Sequence, residues 1–320
     1  MAVYTEVSEI ELAKFIGEYD IGARKSCEGI TEGVENSNYL LTTEKGKFIL
    51  TLYEKRVNFE DLPFFLGLME HLAKTGLPCP TPIHDFDGKV LKQLCGKPAA
   101  ITSFLDGVSP ERLDNYHCAQ VGTALAKLHL FGSNYKLKRR NSLSKGGWGK
   151  LFKESEQRAD EVTAGLANLM REEIKHLEFN WPQNLPSGII HADLFPDNVF
   201  FKNGHLTGLI DFYFACNDFL AYDLAVCINA WCFEPNYLFN TSKAQLMINA
   251  YCKERPLSEA EFIALPDLAR GAAMRFLCTR LFDWLNIIEG ALVKPKNPIE
   301  YIQKLKFHQQ NDDISAFMIK

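Results

Sequence analysis

The run Ile189-Ile-His-Ala-Asp-Leu-Phe-Pro-Asp-Asn-Val-Phe-Phe201 constrains this chain more than any other stretch. Its two ends are apolar and read as short strands, which leaves His191, Asp193 and Asn198 on the turn between them. A second apolar run, Leu209-Ile210, delivers Asp211 just before Phe212. Polar groups are thus presented by hydrophobic supports.

A carboxylate such as Asp193, on a tight loop after an apolar strand, can accept a hydrogen bond from a substrate hydroxyl and take its proton as a bond to phosphorus forms, assistance worth roughly 10²- to 10⁴-fold. Asn198 and Asp211 offer oxygens of the kind Mg2+ prefers beside phosphate oxygens and water. Taken singly, each is equally well a turn residue, because Asp and Asn favour turns. The set is more specific: His-x-Asp-x-x-x-x-Asn between two apolar runs, with Ile-Asp-Phe placing its aspartate thirteen residues after the Asn. That pattern points to metal-assisted phosphoryl transfer. A metal-dependent hydrolase would need more His or carboxylate ligands than this loop supplies.

At 320 residues the chain fits two domains better than one core. A net charge of -5 argues against nucleic acid as a partner, and the basic stretch Lys136-Leu-Lys-Arg-Arg140 reads as a solvated loop. Nine cysteines without a C-x-x-C pair read as reduced thiols. The first residues lack the pattern of a secretion signal. The most apolar segment, Phe219 to Phe233, is interrupted by Asp223 and is too short to cross a bilayer. A cytoplasmic location is expected, with neither nucleic acid nor membrane as partner; a monomer is compatible with the sequence, which does not specify an oligomeric state.

In chain order, Ser8 and Glu11 form a capping box ahead of a short helix. Strands are expected over 23–30, 38–43 and 47–53, with Gly33 turning the first connection. A helix spans Leu62 to Lys74, and a hairpin through Asp87-Gly88 joins strands near 90–94 and 99–104. After Leu105-Asp-Gly107 the pattern becomes helical, so the boundary is placed there: a nucleotide-binding part at 1–104 and a catalytic, substrate-binding part at 105–320. Helices are expected over 115–130, over 150–177 as one helix or a pair, then 220–232, 241–255, 258–289 with a break at Pro266, and after Pro298. The fold class is α+β.

The spaced motif resembles the catalytic and metal-binding loops of the aminoglycoside phosphotransferase and choline kinase group, which has the two-lobed protein-kinase-like fold. By that resemblance Asp193 is the catalytic carboxylate, Asn198 and Asp211 are the Mg2+ ligands, and His191 braces the loop. The aspartate of Asp223-Leu-Ala225 anchors it. The same resemblance implies that Gly33, Ser37 and Asn38 cover the phosphates of ATP and that adenine meets backbone around Thr102 to Phe104. Kinases of this fold carry a strand lysine paired with a helix glutamate; here those positions hold Thr51 and Phe65, so Lys47, Lys55 or Arg56 must be weighed as substitutes. Further stretches, among them Gly29-Ile-Thr-Glu-Gly-Val-Glu-Asn-Ser-Asn-Tyr39 and Leu209-Ile-Asp-Phe-Tyr-Phe214, are similar to the homoserine kinases of this group. They imply L-homoserine as the small-molecule substrate.

An amino-acid substrate needs a cation for its carboxylate and an acceptor for its ammonium. Arg275, Arg280 and Asp283 are the candidates, with Tyr213 and Trp231 as pocket walls. Choline, methylthioribose and aminoglycosides remain alternative substrates, and an inactive nucleotide-binding regulator is the alternative from another class.

Overall fold

The computed structural model describes residues 4–30, 36–54, 58–287 and 295–317. The chain divides into two compact units, Met1–Gly107 with Thr207–Tyr213, and Val108–Leu206 with Phe214–Lys320. The sequence alone assigns 207–213 to the second part; the fold returns that segment to the first unit.

In the first unit, the Ser8 hydroxyl oxygen accepts from the Glu11 N–H at 3.3 Å and caps α1 (Glu9–Ile16). The sheet comprises β1 (Arg24–Gly29), β2 (Ser37–Thr43) and β3 (Gly46–Leu52). After α2 (Leu62–Lys74) it is completed by β4 (Lys92–Leu94) and β5 (Lys97–Ser103). The strands pair antiparallel in the order β1-β2-β3-β5-β4. Side chains alternate between the faces of a strand. Tyr39, Leu41, Leu50, Leu52, Ala99 and Ile101 accordingly join Leu12, Phe15 and Ile16 of α1 in one core. Asn38, Thr51 and Thr102 fall on the opposite face.

The hairpin is not at Asp87-Gly88. Strands β4 and β5 are joined by Cys95 and Gly96, both at positive φ (51° and 72°), the geometry of a two-residue turn matched to strand twist. Asp87-Gly88 instead turns under the Asp85 carboxylate, which accepts from the N–H groups of Asp87 (2.9 Å) and Lys89 (2.7 Å).

The second unit is mostly helical: α3 (Asn115–Gly132), α4 (Lys145–Ser155), α5 (Leu166–Asn180), α6 (Leu220–Trp231), α7 (Thr241–Glu254), α8 (Glu259–Leu285) and α9 (Ile299–Gln310). The region 150–177 thus resolves into two helices, α4 and α5. Between α5 and α6 lie four short strands, β6 (Ser187–Ile190), β7 (Val199–Lys202), β8 (His205–Leu209), which passes from the second unit into the first at Thr207, and β9 (Cys216–Phe219). β6 pairs with β9 and β7 with β8, so the two strands flanking the Asp193 turn belong to separate ladders. α3 packs against α7, and α8 against α4, α6 and α9.

The expected break at Pro266 does not occur, for α8 runs through it. A proline inside a helix costs about 3 kcal/mol. Burial of neighbouring Leu265, Leu268 and Ala269 offsets that loss.

Candidate active site

Apolar Ile189 and Ile190 bury β6 and carry the chain to His191. The turn that follows is built on main chain held by charges. Ala192 has φ 64°, a left-handed conformation that costs a non-glycine residue on the order of 1–3 kcal/mol. The surroundings hold it there: the Asp223 carboxylate accepts from the N–H groups of His191 (2.7 Å) and Ala192 (2.8 Å), and the Ala192 carbonyl accepts from Arg275 Nη1. The Asp193 N–H donates to His191 Nδ1 at 3.3 Å.

Pro196–Asn198 makes one tight turn before β7. Asn198 Nδ2 donates to the Asp193 carbonyl (2.8 Å) and to its carboxylate (3.3 Å). The structure therefore brings Asp193 and Asn198 together. Because the amide nitrogen is committed to the loop, the Asn198 oxygen is the atom left for a cation, and an amide oxygen suits a hard ion such as Mg2+. Burial pushes the Asp193 carboxyl above its usual range, while Arg275 and His191 pull it back down. A carboxylate whose conjugate acid is raised in this way is the stronger base.

Asp223 is itself buried at the start of α6. Burial alone would raise its carboxyl, but hydrogen bonds from His129 and from the His191 backbone outweigh that and hold it low. Behind it a chain of contacts fixes every proton. Arg255, a donor only, gives to the Tyr251 hydroxyl at 3.1 Å. Tyr251 then donates to His129 Nδ1 at 2.7 Å, which leaves His129 Nε2–H to donate to Asp223 at 3.1 Å. Glu261 closes the chain by accepting from Arg255 at 2.8 Å. No motif in the sequence gives a role to His129, Tyr251 or Arg255. One signal existed: His129 continues the Val121, Leu125 face of its helix at a spacing of four, so it had to be a buried polar residue.

Other expected site residues in this unit take different places. Trp231 is no pocket wall; it is fully buried, with its indole N–H donating to the Leu194 carbonyl at 2.8 Å, so it supports the loop from below. Arg275 is buried against that loop. Arg280 is engaged by Glu300 at 2.6 Å and lies over the Tyr301 ring, whereas Asp283 is exposed.

In the first unit, Asp211 has φ 62°, a conformation that Asp tolerates better than most residues. Tyr213 meets Tyr53, with hydroxyls 3.3 Å apart, and Phe65 edge-on at 5.6 Å. Ser37 is corrected. It sits on the α1 side of the sheet, fully buried, donating to Glu54 at 2.7 Å and accepting from the N–H groups of Tyr4 and Thr5. Its side chain is therefore turned away from the face that carries Asn38.

Thr51, at the expected lysine position, donates to Asn38 Oδ1 at 2.8 Å. Lys47 lies over the Phe104 ring at 5.5 Å, and the Phe104 N–H donates to the Lys47 carbonyl at 3.4 Å. Thr102 is buried in β5 opposite Ile49. Gly33, Lys55 and Arg56 lie outside the described residues. Among the described residues no helix is long and apolar enough to cross a membrane.

The model of the phosphotransferase enzyme family matches residues 26–257. Curated homoserine kinases are similar throughout. That of Rhodospirillum rubrum is 62% identical over 309 residues, covering 97% of this chain and 96% of the relative. That of Afipia carboxidovorans is 60% identical and covers 99% and 97%; that of Xanthobacter autotrophicus is 58% identical and covers 99% of each. Among solved structures, an amicoumacin kinase in complex with AMP-PNP and Ca2+ has a TM-score of 0.70 at 14% identity, covering 96% of this chain and 95% of that one. A choline kinase from Streptococcus pneumoniae has a TM-score of 0.64 at 15% identity, covering 95% and 100%. These likenesses show the protein-kinase-like fold, α+β, with an antiparallel sheet in one unit and helices in the other.

Proposed function

Since this chain belongs to the phosphotransferase enzyme family, we propose that it is an ATP-dependent homoserine kinase, an enzyme that transfers phosphate to an alcohol. The observation that carries this reading is the full-length similarity to curated homoserine kinases. In the reaction, the side-chain hydroxyl of L-homoserine attacks the γ-phosphorus of ATP. An O–P bond forms, the bond to the leaving ADP breaks, and the hydroxyl proton passes to Asp193. The product is O-phospho-L-homoserine, a step towards threonine, made in the cytoplasm.

Asp193 is suited to the role of base because its loop is held rigid on both sides, by Asp223 and by Arg275. Precise aim of the acceptor hydroxyl is a large part of such catalysis. Asn198 and Asp211 supply the oxygens for Mg2+, whose charge, when bound, offsets that of the phosphates. If none of Lys47, Lys55 and Arg56 replaces the strand lysine at Thr51, a cation held by Asn198 and Asp211 would carry more of the phosphate charge than in most kinases of the fold. The nucleotide lies on the sheet face of Asn38, Thr51 and Thr102, its adenine against backbone near Phe104. His191 serves as a brace, not as a reacting group.

An ADP-release assay with Mg2+ and a panel of L-homoserine, L-serine, choline, methylthioribose and kanamycin tests the reading. Turnover of L-homoserine above the others is expected. Good turnover of another alcohol with none of L-homoserine would overturn the substrate assignment.

A further inference from the structure

By sequence Arg275 is a candidate for the substrate carboxylate, but its surroundings point to other work. It stands in the middle of α8, 2% exposed, on a helix buried along most of its length. Its guanidinium carbon lies 4.2 Å from the centroid of the Phe276 ring and 5.4 Å from that of Phe214, so the planar fork is held between aromatic faces. Nη1 donates to the Ala192 carbonyl, and Nη2 lies 3.9 Å from Asp193 Oδ1. The fork therefore spans the peptide just before Asp193 and the carboxylate itself.

Ala192 is the residue at φ 64°. Its N–H is held by Asp223 of α6 and its carbonyl by Arg275 of α8, so two charges of opposite sign, on two helices, grip the two ends of one strained residue. Released at either end, the residue can relax towards an ordinary conformation, and Asp193 swings with it. Asp223 alone cannot prevent this, because it holds only N–H groups on the upstream side.

We propose that Arg275 is a positioning residue for phosphoryl transfer: by clamping the Ala192 carbonyl it keeps the loop wound and aims the Asp193 carboxylate, without itself touching L-homoserine. This rests on the kinase reading above.

The test uses the full chain with Arg275→Met, which keeps the shape and removes the fork, and Arg275→Lys, which keeps the buried charge but has no planar fork. Each is assayed with ATP and either L-homoserine or 3-aminopropan-1-ol, the same alcohol without the carboxylate. For Arg275→Met, kcat is expected to fall about 10²-fold, the loss a displaced reacting group causes, with both alcohols alike. KM for L-homoserine and ATP should stay within about threefold, the split expected when an interaction serves the transition state alone. Arg275→Lys is expected to recover part of kcat, and AMP-PNP binding by calorimetry should match the parent in both. A rise of about tenfold or more in KM for L-homoserine at unchanged kcat, absent with 3-aminopropan-1-ol, would assign Arg275 to the substrate carboxylate and overturn the proposal. Unchanged kcat in Arg275→Lys together with unchanged kcat in Arg275→Met would overturn it too. Should Arg275→Met not fold, Arg275→Lys decides alone: parental kcat refutes the clamp. If the parent enzyme turns over neither alcohol, the kinase reading fails instead.

Discussion

His129 Nε2 lies 3.1 Å from Asp223 Oδ2, and both side chains are completely buried. Burial pushes the His129 imidazole below its ordinary pKa, with Asp223 opposing; the carboxyl of Asp223 is held low as well. The pair is therefore a neutral donor on an ionised acceptor, and it ties α3 to the start of α6 directly beneath the catalytic turn.

That pairing gives stability a definite pH dependence. A histidine kept neutral in the fold but free to protonate when unfolded, near pH 6.5, costs stability as the pH falls below that value. His308, driven down to about 3 by burial, acts in the same direction. Each contributes up to about 1.4 kcal/mol per pH unit. Urea midpoints should fall from pH 7.5 to pH 5.5, with a shallower fall in His129→Gln. Parallel curves for the two proteins would remove His129 from the account.

Asp193→Asn should lower kcat by roughly 10² or more while AMP-PNP binds nearly as before, because an amide keeps the shape of the loop but cannot take the proton. A rate equal to the parent's would take Asp193 out of the base role.

Asp211→Asn preserves a side chain that tolerates positive φ and removes the anionic oxygen. Turnover should be lost at any concentration of Mg2+ or Mn2+, with the circular dichroism spectrum unchanged. Recovery of parental kcat at high Mg2+ would point to another residue as the principal anionic ligand.

A Cβ on Gly122 would stand 2.2 Å from the Met247 carbonyl oxygen, so α3 and α7 approach closely only because position 122 has no side chain. Gly122→Ala should force α7 outward and draw Tyr251, one turn beyond Met247, away from His129. A loss of about 1–3 kcal/mol, the usual range for overpacking, is expected from urea unfolding. Parental stability would mean the helices yield freely.

For Trp231→Phe, the buried Leu194 carbonyl loses its indole partner and keeps only the weak Cys227 thiol donor at 3.9 Å. A poorly satisfied buried acceptor costs about 1–3 kcal/mol, so the melting temperature should drop while KM for L-homoserine stays put. A rise in that KM at constant stability would restore Trp231 to the substrate pocket.

Local pattern alone determined much of this protein. Strand periodicity and caps in the sequence placed the sheet of the first unit, α1 and α2, and the polar turn after Ile190, because these depend on residues a few positions apart. The likeness of the motifs to a known family is what singles out Asp193 as the base we propose. What tertiary structure alone decided were relationships between residues far apart in the chain. Nothing local marks Trp231 as a partner of Leu194 or Arg275 as a partner of Ala192, since a side chain on a helix carries no sign of which loop will lie over it. Ser37 and Asn38 are neighbours, yet the strand's alternation turns one to α1 and the other to the opposite face, a choice set by which helix covers the sheet. Pro266 reads as a break until the burial of α8 is known. The left-handed turn at Ala192 is the clearest case: nothing in an alanine predicts positive φ, and it exists because Asp223 and Arg275, thirty-one and eighty-three positions away, hold its two ends.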